Sequence, residues 1–271
     1  MGVSARSGSS KQVPRHPSAG NLHLPRTRSQ PATKGATLST LAYPLGLEPN
    51  VGSFEFGPNL SSEVLDRLIG NVEGKRILEV GVGNGSNAVA LALAGARVIA
   101  VDSDADRVAA ARALAEQHGV RIELHHGDLA ELPFIRADAI DMAFSIYSLQ
   151  AVEDLGRVFR QVERVLRNEG TLTVTLPHPL EYCTDADSPG ALRISRSLFS
   201  EDQVGWSGAG VEGTIYAHSL STVFREMSRS NLRVDMVLEP QPTVTADSPY
   251  RSSKADWIPA TLVIRGRKEG V

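Results

Sequence analysis

Residues 76–87 read RILEVGVGNGSN, and few folds accommodate such a run. Ile77, Leu78 and Val80 suit a short buried strand, the glycines that follow suit a tight turn, and Ser86 opens a helix. Glycine removes the Cβ atoms that would keep a ligand away from bare backbone at a helix N-terminus. The spacing narrows the choice of ligand. A dinucleotide fingerprint is G-x-G-x-x-G, whereas here the glycines stand at Gly81, Gly83 and Gly85, and Ser86 occupies the place of the third.

Strand and helix signals alternate on both sides of this turn. Val64, Leu65, Leu68 and Ile69 form a helical stripe ended by Gly70. Strands are expected at 76–80, 98–101, 122–125, 139–144 and 172–176. Helices are expected between them at 86–94, stopped by Gly95, and at 105–118, stopped by Gly119. Val158, Phe159, Val162, Val165 and Leu166 mark the buried face of another helix, with Gly170 closing it. This alternation implies βαβ units and a parallel sheet with helices on both faces. Past residue 176 the rhythm breaks. Residues 177–215 show no period and predict a substrate lid or insertion. A helix near 219–229 and strands at 234–238 and 261–265 follow. Residues 1–42 are rich in Ser, Pro, Gly and Arg, cannot bury enough surface to offset ordering entropy, and predict a disordered basic tail. A transit peptide has similar composition, so a targeting role stays open beside that of an ordinary tail. Residues 43–271 are expected to form the single folded domain.

The strand-E-x-G-x-G-x-G segment closely resembles the first motif of the class I S-adenosylmethionine (SAM) dependent methyltransferases, and the resemblance extends over residues 54–266. It implies an α/β fold: a Rossmann-like doubly wound sheet, mostly parallel, with an antiparallel last strand. It also implies SAM as cofactor. Glu79 would accept from the methionine amino group, often through water. Gly81, Gly83, Asn84 and Gly85 would form the bare turn. Asp102, 17 residues beyond Gly85, closes the second strand, where a carboxylate can accept from both ribose hydroxyls. Ser103 adjoins it, while Asp104 suits a helix N-cap better than a ligand contact. The segment Gly127-Asp128-Leu129 ahead of Leu132-Pro133-Phe134 is similar to the family's G-D-x-x-x-L-P-F, which would set Asp128 on the adenine amine and Leu129 on the ring. Ser145 would border the methionine moiety. All these positions fall at the carboxyl ends of expected strands, where open α/β sheets bind ligands.

Methyl transfer from a sulfonium is an in-line displacement, which needs placement and, where the nucleophile carries a proton, a base. Candidates on the substrate side are Tyr147, His178 and His218. The His-Pro pair at His178 follows the fifth strand, as in a subgroup of small-molecule methyltransferases that the chain resembles; two prolines fixing a turn around a packed His178 explain it equally well. His218 matches the second histidine of that subgroup's H-H-R-T-L segment, whose first His and Arg are missing here, and it equally suits the approach to a helix capped by Ser219. His125 and His126 end the third strand, facing solvent or covering the adenine. No ligand spacing recurs among these histidines, so no metal is expected. Phe54 to Pro58 resembles the aromatic segment that precedes the core in the subgroup. The Asp/Asn-Pro-Pro-Tyr/Phe tetrad of amino-group methyltransferases would fall at Ser145 to Ser148 and is absent, which disfavours DNA bases and glutamine as acceptors.

Charge points the same way. Residues 1–40 hold six basic residues and no acid, leaving 22 of the 28 basic residues against all 31 acidic ones. An acidic body lacks the basic footprint that nucleic acid demands, so the expected partner is a small molecule. No apolar run approaches the roughly 20 residues of a membrane span. Cys183 is the single cysteine of 271 residues, which excludes an internal disulfide and predicts a reducing cytoplasm. Two other functions fit less of the pattern: a non-catalytic SAM-binding regulator and an NAD-dependent oxidoreductase. Oligomeric state leaves no mark on the sequence.

Overall fold

The computed structural model describes Gly2 and residues 50–57, 60, 63–188, 191–200, 202–208, 211–241, 254 and 256–270. The expected tail lies outside these residues, Gly2 apart. After α1 (Glu63–Ile69) the core runs β1 (Arg76–Val80), α2 (Ser86–Leu93), β2 (Arg97–Asp102), α3 (Ala105–Gln117), β3 (Ile122–His126), β4 (Ile140–Ile146), α4 (Leu155–Val165) and β5 (Leu166–Pro177). It continues with α5 (Pro179–Cys183), β6 (Thr184–Ser188), β7 (Ala191–Ile194), β8 (Gln203–Gly208), β9 (Val211–Tyr216), α6 (Leu220–Arg229), β10 (Leu232–Leu238) and β11 (Thr261–Lys268).

Seven strands form one sheet in the order β10-β11-β5-β4-β1-β2-β3. β1 pairs in parallel with both β2 and β4, and β11 runs antiparallel between β5 and β10. The expected doubly wound sheet with an antiparallel last strand is therefore present. From β1 the chain builds outward to β3, then returns to place β4 on the other side. That reversal opens a crevice beyond the carboxyl ends of β1 and β4, the switch point where such sheets bind ligands.

Alternation along each strand sends successive side chains to opposite faces. Leu78, Val80, Ile99 and Val101 pack with Val158, Phe159 and Val162 of α4 and Val223 and Met227 of α6. Ile77, Val98, Ala100 and Phe144 pack on the other face with Leu65 and Leu68 of α1, Leu91 of α2 and Ala111 of α3. Burial on both faces is why these strands read as nearly continuous apolar runs. The Asp104 carboxylate caps α3 by accepting from the Asp106 and Arg107 N–H groups, and the Ser219 hydroxyl caps α6 by accepting from Thr222 N–H. Each such cap stabilises by about 1 kcal/mol.

Several boundaries differ from expectation. α4 ends at Val165 rather than at Gly170, and β5 begins at once; its pairing with β4 jumps from Ile140↔Leu166 to Met142↔Thr171. Residues 167–170 bulge out at that jump, so Gly170 belongs to β5, where a Cβ would sit 2.8 Å from the Arg167 carbonyl oxygen. β4 runs to Ile146, which puts Ser145 inside a strand rather than after one. Residues 177–215 hold two antiparallel hairpins, β6–β7 and β8–β9, after the short α5. Tyr182, Cys183, Ile215 and Ala217 form a small buried cluster of their own beneath them. Among the described residues, no helix is long and apolar enough to cross a membrane.

Candidate functional site

The turn after β1 is held by backbone and side chains that reach it from β2. Gly81 N–H donates to the Val101 carbonyl at 2.7 Å. Asp102, at the end of β2, accepts through Oδ2 from Val82 N–H at 2.8 Å and through Oδ1 from Asp104 N–H at 2.9 Å. One buried carboxylate thus pins the turn to the neighbouring strand. Asn84 Oδ1 accepts from Ser86 N–H and from the Ser86 hydroxyl, which steadies the entry into α2. Gly81 has φ 84° and Gly85 φ 83°, left-handed conformations that favour glycine. Packing demands it too. A Cβ on Gly81 would fall inside Ser148 Cβ and Oγ, and one on Gly85 would lie 2.8 Å from Ala111 Cα of α3. Two glycines of the motif therefore serve close packing as well as an open backbone.

Glu79 is the unusual side chain here. It is 2% exposed, and its Oε2 has no hydrogen-bond partner. Burial, and then the nearby Asp102 charge, push its carboxyl well above the usual carboxylate range. Glu79 lines a cavity of about 10 Å³ with Gly81, Val82, Gly83, Asn84, Asn87 and Ile146. That volume is about one water molecule's worth. Asn87, which sequence reasoning missed, closes one side. Its Oδ1 accepts from Glu55 N–H at 2.8 Å and its Nδ2 donates to the Glu55 carbonyl at 2.9 Å. This clasp holds residues 50–57 over the site, with Phe54 and Phe56 packed on Phe144. Gly57 lies against Tyr147, whose hydroxyl would be 2.8 Å from a Cβ there.

A crevice at the switch point, a glycine turn braced by an acid from β2 and a partnerless buried acid on β1 are now in place. Residues 77–170 match a family model described as a methyltransferase domain. Over that segment the chain is similar to the SAM-dependent methyltransferases. A Mycolicibacterium smegmatis protein named as a probable SAM-dependent methyltransferase is 32% identical over 126 residues, 46% of this chain and 47% of its own length. The chain thus spans about half the length of the curated relatives that it matches. A SAM-dependent methyltransferase from Mesorhizobium loti, of known structure, is 26% identical with a TM-score of 0.62, covering 76% of this chain and 96% of its own. A Listeria monocytogenes protein of the same fold is 16% identical with a TM-score of 0.64 and the same coverage.

The expected site residues divide into two groups. Glu79, Gly81, Gly83 and Asn84 line one cavity, and Gly85 with Asp102 supports it. Ser103 is exposed beside them, its carbonyl 3.2 Å from His126 Nε2. Asp128 lies past β3, with Oδ1 accepting from Ala130 N–H and Oδ2 3.5 Å from Arg157. Leu129 is buried in the core. Ser145 is fully buried and donates to the Val80 carbonyl at 2.7 Å, which ties β4 to β1.

The substrate-side candidates are more committed than their sequence suggests. His178 caps α5: its Nδ1 accepts from Leu180 N–H at 3.2 Å, and Nε2 meets Glu239 Oε1 at 2.9 Å. Both ring nitrogens are engaged, so the packed reading of His178 accounts for what is seen. His218 Nε2 meets the Val152 carbonyl at 2.7 Å and fastens the end of β9 to the turn after β4. Tyr147 takes a left-handed φ of 54°, rare for a bulky residue. Its hydroxyl meets Thr261 Oγ1 at 2.5 Å. Burial pushes the Tyr147 phenol upward, Glu181 adding to it and the Thr261 bond opposing it, which keeps the hydroxyl protonated. His125 stacks on Phe134 with centroids 3.6 Å apart and pairs with Glu123.

A roomier groove of about 420 Å³ lies elsewhere, between residues 130–133 and Arg157, Arg160 and Gln161 of α4. It is an open surface furrow that shares no lining residue with the cavity at the glycine turn, and its size alone does not make it the site. Among the described residues no group of three or more His, Cys, Asp or Glu could hold a metal. The residues at the turn fit SAM in kind: a partnerless buried acid suits an ammonium group, and bare backbone suits close approach.

Proposed function

We propose that this protein binds SAM in the crevice at the β1–β4 switch point and transfers its methyl group to a small-molecule acceptor. The observation that carries the reading is the partnerless Oε2 of Glu79, buried beside a glycine turn that Asp102 braces. The cofactor would supply a methyl group on a positively charged sulfur. Glu79 would hold the amino group, Asp102 the ribose and Asp128 the adenine amine. The segment 50–57 and the hairpins of residues 184–216 would exclude water, and a dry cavity favours loss of charge at sulfur. Placement of donor and acceptor in line can supply roughly 7–11 kcal/mol.

No base is assigned, because the ring nitrogens of His178 are both engaged and the Tyr147 hydroxyl is held protonated. The same fact favours a second reading, a SAM-binding protein without transferase activity. The acidic body and the missing amino-methyltransferase tetrad support a small acceptor over nucleic acid. The single cysteine supports a cytoplasmic setting.

Binding measurements on variants test the site. Asp102→Ala and Gly83→Val should each weaken SAM binding more than tenfold, above about 1.4 kcal/mol. Unchanged affinity in both would remove the assignment. Label transfer from methyl-labelled SAM to a small molecule in an extract would separate the enzyme from the binding protein. Tight binding without any labelled product would favour the latter.

A further inference from the structure

We propose that Glu79 carries a proton in the cofactor-free protein and releases it to solvent when the cofactor's ammonium group binds, so that cofactor binding is coupled to proton release. The inference rests on the SAM-binding reading above and goes beyond it to the protonation state of the pocket.

Glu79 sits on β1, the central strand of the parallel core, and is 2% exposed. Removing a carboxylate from water without a compensating bond costs several kcal/mol, and such a group neutralises instead. Among the described residues, nothing compensates Oε2. Oε2 has no partner, and Asn84, Asn87 and Ile146, which share the cavity, carry no charge. The charged group that acts on Glu79 among the described residues is Asp102 of β2, an acid, and its effect is repulsive. Each Asp102 oxygen already accepts from a backbone N–H, of Val82 and of Asp104, so the two carboxyl groups do not divide the pocket evenly. Asp102 has two N–H donors to meet its charge, and Glu79 Oε2 has none. Desolvation and repulsion both favour the neutral acid.

A bound ammonium group reverses each of these effects. It brings a positive charge and N–H donors to the orphaned oxygen, and a charge-assisted bond in a buried site favours the carboxylate. The balance is one proton: the Glu79 O–H bond breaks, the proton goes to solvent, and the carboxylate stays paired with the ammonium. Linkage fixes the sign. Because binding releases a proton, affinity rises with pH between the bound-state and free-state pKa of Glu79, by at most tenfold per unit, and levels off above the free-state value.

Titration calorimetry with SAM and S-adenosylhomocysteine, in two buffers of different ionisation enthalpy, reads the proton count directly. The wild-type protein should release protons on binding, at most one per cofactor, most at the acid end of pH 5.5–8 and fewer as pH rises, following the linkage above. Glu79→Gln should release none through Glu79, and its affinity should be flat over that range. The outcomes are separable. Tight binding with no proton released at any pH overturns the inference and leaves the SAM reading intact. Equal release from wild type and Glu79→Gln assigns the proton elsewhere and also overturns it. No heat and no competition with either compound overturns both. The wild-type measurement stands by itself should the variant not fold.

Discussion

Gly81→Ala probes the tightest point of the site. Two separate penalties follow from the structure. Gly81 holds φ 84°, where an L-residue costs about 1–2 kcal/mol. The new Cβ would also fall inside Ser148 Cβ and Oγ, and overpacking of this kind costs about 1–3 kcal/mol. Together they predict a loss of about 2–5 kcal/mol. For a folded region of this size that is roughly 4–20 °C in Tm, at about 2–4 °C per kcal/mol. The two parts can be separated by a double-mutant cycle in urea. Ser148→Gly removes the atoms that collide and should return about 1–3 kcal/mol to Gly81→Ala, whereas Ser148→Ala keeps its Cβ and should return little. A Gly81→Ala protein within about 0.5 kcal/mol of wild type, below ordinary core penalties, would refute the reasoning. So would equal rescue by both Ser148 variants, since that would mean the collision is not with Cβ.

Asn87→Ala should free residues 50–57. Losing two hydrogen bonds costs about 1–3 kcal/mol, so hydrogen exchange at the Glu55 amide should accelerate by roughly 5- to 150-fold while the central strands stay protected. Asp235→Asn tests an ion cluster on β10, where the bulge between Val234 and Met236 aims Asp235 at both Arg265 and Arg267 of β11. Burial alone would raise the Asp235 carboxyl, but the bonds and charges of Arg265 and then Arg267 outweigh it and hold it below the usual range. A depressed folded-state pKa means stability present above about pH 4 and lost as pH falls through the folded value. The variant should lose about 1–3 kcal/mol at pH 7 and show a flatter acid limb in denaturant titrations; an unchanged acid limb would contradict this.

The sheet was legible because its information is local. Ile77 to Val80 and Val98 to Val101 are short apolar blocks beside glycine stops, and Asp104 and Ser219 are capping residues directly ahead of their helices. The glycine turn and Asp102 could be read for the same reason. What escaped depends on partners distant in sequence. Asn87 gains its role from Glu55, 32 residues earlier, and His178 from Glu239, 61 residues later. Ser145 was misplaced because a strand end cannot be fixed from apolar residues once the strand continues as buried Ser145 and Ile146. The hairpins of residues 184–216 were invisible because strands this short, rich in Gly, Ser and Asp, carry too few alternating apolar positions to show a period.

The most direct test is a crystal structure of the full chain grown with S-adenosylhomocysteine. It should show the nucleoside at the carboxyl ends of β1 and β4, with its amino group on Glu79 and residues 50–57 displaced from Asn87 to enlarge the cavity. The account would be contradicted by density in the groove beside Arg157 and Arg160 with the glycine turn still empty, or by no bound nucleoside at saturating concentration.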